Sequence, residues 1–273
     1  EKNQIDHGFW GHWPRYYPDM ELSEEIVKNA AEKSDNAIYI IGRSSGEDRE
    51  NALEKGGDIS AVEVLYEDEH ILVVDKPSGV LSVPGIVGGT SVQQWLRDEY
   101  LHSNELYVAH RLDMATSGLL VAAKSIEVYK AMQRIFASRE VAKRYIALLD
   151  GTPSNNEGVI DVPLAEDYIN RPRQKVDFAG GKEAITRFKV LRTIAFNGKE
   201  CALVLFEPIT GRTHQLRVHA ACKEGLDTPI VGDALYGNIA DRLMLPASLL
   251  KFRHPVTGDF IVVESKAPFI TES

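Results

Sequence analysis

Nine consecutive residues, His110-Arg111-Leu112-Asp113-Met114-Ala115-Thr116-Ser117-Gly118, bring together a basic pair, one acid, two hydroxyls and a glycine. The apolar run at residues 119–123 reads as a buried strand, so the polar residues occupy the loop that feeds it. Asp113 is the only carboxylate in that loop. A carboxylate beside a buried strand end needs a partner, because its charge is otherwise costly. Held in a pocket, it could attack an electrophilic carbon or take a proton. A lone Asp in such a loop is more often a turn cap. Two clusters downstream shift the weight toward chemistry. Residues 143–149 carry Lys143, Arg144 and Tyr145 into an apolar strand, and residues 208–219 carry Thr210, Gly211, Arg212, Thr213, His214, Gln215 and Arg217. His214 and His219 are five apart rather than the four of a zinc helix, so no metal is expected.

These clusters need a scaffold, and a chain of 273 residues with 44% hydrophobic residues can supply one large core or two ordinary ones. Short apolar runs at 62–66, 71–75, 141–149, 184–190 and 201–207 read as strands. Helices are expected at 91–99 and at 125–138, the latter with Ile126, Tyr129, Met132 and Phe136 on one face. A third starts near Thr213 as its cap and runs through Lys223. Strands outnumber helices and do not alternate with them, which predicts an α+β fold with a mostly antiparallel sheet. No apolar run approaches the roughly 20 residues that span a bilayer, so no membrane partner is expected. Cys201 and Cys222 have no metal spacing, and no signal-peptide pattern is read at the start, which together suggest a reducing cytoplasm.

The net charge of −9 argues mildly against a nucleic-acid partner. The charge is uneven, however. Residues 1–60 hold 7 Lys and Arg against 13 Asp and Glu, leaving 24 against 27 in the remainder. A local basic face built from Arg111, Lys143, Arg144, Arg171, Arg173, Lys175, Arg212 and Arg217 could still hold RNA. Residues 56–60 read as a linker. This divides the chain into an N-terminal extension, 1–60, and a domain, 61–273.

The stretches HRLDMATSG, KRYIALL and GRTHQLRVH, with NRPRQKVD at 170–177 and VDKPSGVLSVPG at 74–85, resemble the RluA family of pseudouridine synthases from about residue 62 to 269. The resemblance implies a central mixed, mostly antiparallel sheet with flanking helices and a catalytic cleft. It also implies an isomerase acting on uridine in structured RNA, 23S ribosomal RNA, the anticodon stem-loop of tRNA, or both. Because the product is an isomer, no cofactor is expected. By the same resemblance Asp113 is the essential acid. It either attacks the ribose C1′ or removes the 2′ proton. Arg217 is its partner, on the face of the third helix that also carries His214. Tyr145 stacks on the base, and its hydroxyl could take the C5 proton. Arg111 would fill the gap left by a flipped-out nucleotide, and His110 would orient the loop. Thr116, Arg144, Arg171, Arg173, Gln174, Arg212, Thr213, His214 and Gln215 complete the expected substrate-binding set. Lys76-Pro77 reads as a rigid turn with a supporting role. The enzyme is expected to be a monomer.

Two stretches depart from the family pattern. Residues 225–230 are longer than usual, and Leu245-Pro246-Ala247 replaces a common Leu-His-Ala. Separately, residues 31–51 resemble a fragment of the second domain of family-3 glycoside hydrolases. A glycosidase would need two carboxylates about 5–9 Å apart, and only Asp113 stands in a reactive context. A catalytically silent RNA-binding protein is the remaining alternative.

Overall fold

The computed structural model describes residues 56–85, 90–267 and 269. The glycoside-hydrolase-like fragment lies outside them. Gly57 and Ile59, read as linker, contact the domain that follows. The Gly57 N–H donates to the Gly79 carbonyl at 2.9 Å, and Ile59 packs against the buried cluster that includes Leu72 and Val92.

Strands β1 (Glu63–Glu67) and β2 (Ile71–Lys76) form a hairpin closed by Asp68, whose Oδ1 accepts from the N–H groups of His70 and Ile71. Such an Asx turn stands in for a backbone turn. Helix α1 (Val92–Trp95) is capped by Ser91 and runs on into one wider turn, where Leu101 N–H reaches Leu96 O. Strand β3 (Tyr107–Val108) precedes the catalytic-loop candidate, and β4 (Ser117–Ala123) follows it with all seven residues buried. Helix α2 (Ile126–Ala137) is capped by the Ser125 hydroxyl and buries Val128 and Met132, whereas Ile126 is half-buried.

Next come β5 (Ala142–Leu149), β6 (Glu157–Asp161) and the small separate hairpin β7 (Leu164–Glu166) with β8 (Gln174–Val176). The long hairpin β9 (Ile185–Phe196) and β10 (Lys199–Pro208) extends past the expected ends. Asn197 and Gly198 both adopt positive φ there, the two-residue turn that matches the twist of paired strands. Helix α3 (Gln215–Ala221), β11 (Pro246–Arg253) and β12 (Phe260–Glu264) complete the chain. The fold is α+β. One mixed sheet runs β1-β2-β4-β11-β5-β10-β9-β6, with β3 against β4 and β12 against β11.

Every pairing in this sheet is antiparallel except β4 with β11, a parallel contact of two register pairs, Ser117 with Pro246 and Gly118 with Ala247. That short seam joins two core regions. Tyr145 packs against both, opposite Ala247 on one side and Phe206 on the other. Gly118 permits the seam. Its φ is +106°, and a Cβ there would lie 2.3 Å from the Ala247 carbonyl oxygen. Neither strain is relieved without moving β11, so Gly118→Ala is expected to lower unfolding free energy by about 3 kcal/mol or more. Urea denaturation would measure this, and a loss under 1 kcal/mol would show that the seam tolerates a side chain.

Candidate active site

The 110–118 loop is held by its backbone. Ser82 grips Leu112 twice, its Oγ donating to the carbonyl at 2.9 Å and accepting from the N–H at 3.0 Å. Gly79 N–H donates to Met114 O at 2.8 Å, and Ser78 Oγ to Ala115 O at 2.6 Å. Lys76 is fully buried, and its ammonium donates to the carbonyls of Pro77, Val80 and Met114 at 3.0, 2.6 and 3.0 Å. Segment 76–82 is therefore a clamp that fixes where Asp113 points, a larger part than a rigid turn. Lys76 was legible as chemistry only through its burial, which a lysine in a polar turn does not advertise.

Arg217 is 1% exposed and comes within 3.8 Å of Asp113 Oδ2 through Nη1. Its tighter partner is one the sequence reading missed. Asp233, fully buried, takes Arg217 Nε at 2.9 Å and Nη2 at 2.7 Å. Burial pushes the Asp233 carboxyl upward more than any other single cause. The Arg217 hydrogen bonds and charge, with the N–H groups of Leu235 and Tyr236, outweigh it and hold the carboxyl below its usual range. The guanidinium also lies 5.5 Å from the Tyr236 ring centroid.

His214 does not share a helical face with Arg217. It is the residue before α3, in left-handed conformation at φ 51°, and its Nδ1 pairs with Tyr236 Oη at 2.8 Å. Thr213 does not cap the helix. Gln215 does the local work instead, its Oε1 accepting from Arg212 N–H at 3.0 Å and Thr210 Oγ at 2.7 Å. His219 is bonded on both nitrogens, to Thr186 Oγ and Val162 O.

A cavity of about 300 Å³ is lined by His110, Arg111, Asp113, Thr116, Tyr145, Arg212, Thr213, His214, Gln215 and Arg217 from the expected set. That volume is at the small end for ligand sites and suits a single nucleoside. Ser82, Lys143, Pro172, Leu235 and Leu245 also line it. Leu245 belongs to the stretch that departs from the family pattern.

Four expected residues are not brought to the cavity. Arg144 projects from the opposite face of β5, half exposed, and pairs with Glu207 at 2.7 Å. The side-chain period of a strand is two, so Lys143 shares the face of Tyr145 and Arg144 cannot. Arg171 lies 5.0 Å from the Tyr168 ring centroid and 3.4 Å from Glu166, and Arg173 is exposed on the β7–β8 hairpin. Gln174 contributes its backbone, whose N–H donates to Tyr236 Oη at 2.6 Å.

The electrostatics separate the roles. Burial, then the Lys143 charge, drives the His110 imidazole down to about 3. Its Nε2 accepts from Val121 N–H at 3.2 Å, and its ring centroid lies 4.7 Å from that of Phe136. A neutral imidazole fastened this way orients the loop. Burial, then the Asp113 charge, raises the Tyr145 phenol well above its usual range.

Residues 70–222 match the family model described as RNA pseudouridylate synthase. The chain belongs to that family. It is 42% identical over 213 residues to the dual-specificity RNA pseudouridine synthase RluA of Escherichia coli (strain K12), spanning 76% of this chain and 93% of that one. The RluA of Haemophilus influenzae is 38% identical over 217 residues, at 76% and 94% coverage. Among solved structures, human RNA pseudouridylate synthase domain containing 1 superposes with a TM-score of 0.67 at 28% identity, covering 79% of this chain and 87% of its own. The protein is an enzyme that isomerises uridine to pseudouridine in RNA.

Asp233→Asn would leave the Arg217 guanidinium buried without its bidentate anion. Breaking a buried pair typically costs about 3–5 kcal/mol, and that loss is expected in urea denaturation at neutral pH. Because the folded Asp233 pKa is depressed, its contribution is present above the unfolded value of about 3.9 and lost as pH falls through the folded value. The variant should therefore lose part of the parent's acid dependence of stability below about pH 4. Equal stability of variant and parent at pH 7 would refute this account of the pair.

Proposed function

We propose that this enzyme acts on uridines in both 23S ribosomal RNA and the anticodon stem-loop of tRNA. It would work as a cytoplasmic monomer whose chemistry resides in residues 61–273, with 1–60 an extension dispensable for the reaction. The bacterial relatives are dual-specificity RNA pseudouridine synthases, which supports two classes of RNA. Among the described residues, no helix is long and apolar enough to cross a membrane.

The observation that carries the site assignment is the approach of Arg217 Nη1 to Asp113 in the cavity that Tyr145 lines. In the reaction the C1′–N1 bond breaks, a C1′–C5 bond forms, C5 loses a proton and N1 gains one. Asp113 begins it, by attack on C1′ or by taking the 2′ proton. Arg217 orients the carboxylate from 3.8 Å. The Tyr145 ring supports the freed uracil by stacking. Its phenol resists ionisation, so it takes the C5 proton only while passing on its own. Arg111 lies at the exposed mouth, suited to the gap left by the flipped nucleotide. A glycosidase reading fails on the second carboxylate, because Asp233 is sealed off behind Arg217.

Asp113→Asn should fold and bind RNA but release no tritium from C5-labelled RNA; near-normal release would end the assignment. Tyr145→Phe keeps the stacking surface and should keep RNA affinity while turnover falls about 10²–10⁴-fold. Tyr145→Ala should also weaken binding, by roughly 1–3 kcal/mol. Full turnover by the Phe variant would reduce Tyr145 to a stacking residue.

A further inference from the structure

Lys143 is the cavity cation for which the reading above has no use. It stands two residues before Tyr145 on the same face of β5 and lines the same cavity. Its ammonium lies 5.1 Å from the Phe136 ring centroid. Among the described residues it forms no ion pair, whereas its neighbour Arg144 is matched to Glu207. Gly211 lies beside it, where a Cβ would be 3.9 Å from Nζ. Burial lowers the Lys143 pKa, so the ammonium is paying for desolvation without a protein anion in return. His110 cannot compensate, being an imidazole kept neutral. A partly desolvated cation that lines a cavity and pairs with no carboxylate among the described residues is arranged for an anion that arrives with the ligand.

We propose that Lys143 binds a backbone phosphate of the RNA next to the nucleotide held in the cavity. The assignment rests on the RNA-isomerase reading and adds an anchor to it. A phosphate suits the site because it is the anion every nucleotide carries, and one strand step separates Lys143 from the ring on which the base would stack. The ammonium contributes a point charge and not a base-reading fork, so the contact sets register without selecting sequence.

The test is the salt dependence of RNA binding by the full chain, measured in an Asp113→Asn background so that no turnover follows. The probe is a synthetic anticodon stem-loop with uridines in its loop. One phosphate contact contributes about 0.7 to 0.9 to the slope of log affinity against log salt. Lys143→Met should reduce the slope by that amount and weaken binding roughly fivefold at 0.1 M salt. Lys143→Arg should restore the slope, and Arg144→Gln, on the opposite face, should leave it unchanged. An unchanged slope in Lys143→Met would overturn the proposal. So would weaker binding at an unchanged slope, since that would be a packing effect. Failure of the enzyme reading is distinguishable, because it would appear as absence of pseudouridine formation by the unsubstituted chain on the same RNA.

Discussion

A guanidinium sealed from water is the constraint around which this site is arranged. Arg217 is 1% exposed, and a bare charge at that depth would be intolerable. Asp233 makes it tolerable by occupying two of its donor positions, Nε and Nη2, in a bidentate fork. That leaves Nη1 pointing toward Asp113. The arrangement separates two tasks that one carboxylate could not perform. Asp233 neutralises and aims the cation, and so Asp113 need not surrender its own charge to hold Arg217 in place. The looser 3.8 Å approach to Asp113 suits the role proposed for it, a group that changes partner during the reaction.

Rigidity on the other side of Asp113 comes from backbone contacts. The carbonyls of Leu112, Met114 and Ala115 are all taken by groups from segment 76–82, so the loop cannot swing without breaking several bonds together. Lys76 acts here as a buried cross-link between two turns, its charge spread over three carbonyl dipoles. Gly118 then delivers the chain into the seam between β4 and β11. The acid is consequently held between a clamped loop and a buried cation. Such preorganisation lowers the reorganisation needed when charge moves.

Much of this was legible in the sequence because the chemistry is concentrated in short stretches. Asp113, Tyr145 and Arg217 each sit in a motif dense enough to stand out, and the apolar runs located the strands that carry them. What was not legible depends on distance along the chain or on side-chain parity. Asp233 lies in an unremarkable turn, and only the fold brings it 2.7 Å from Arg217. Strand alternation, with Tyr145 facing in, favours Lys143 over Arg144 for the cavity face, and density of charge in the motif hides this parity. The ends of β9 and β10 were missed because alternation fades on their exposed outer halves, yet Asn197-Gly198 marked the turn. His214 was assigned a helical face because its left-handed conformation leaves no trace in a hydrophobic pattern.

The electrostatics of Tyr145 constrain the order of proton movements. Its phenol lies in a buried setting near the Asp113 charge, and both effects disfavour a phenolate. A tyrosine in that state cannot wait as a base. In either proposed route Asp113 would again be a carboxylate once the C1′–C5 bond has formed, the stage at which C5 must lose its proton. A neighbouring anion then favours a Tyr145–Asp113 pair that gains a proton over one that lacks it. The phenol can accept from C5 while its own proton moves toward the carboxylate or solvent, and neither group need exist as a free phenolate. In the proposed mechanism, the same charge that makes Tyr145 a poor ground-state base would make the pair a competent acceptor at the step that requires one.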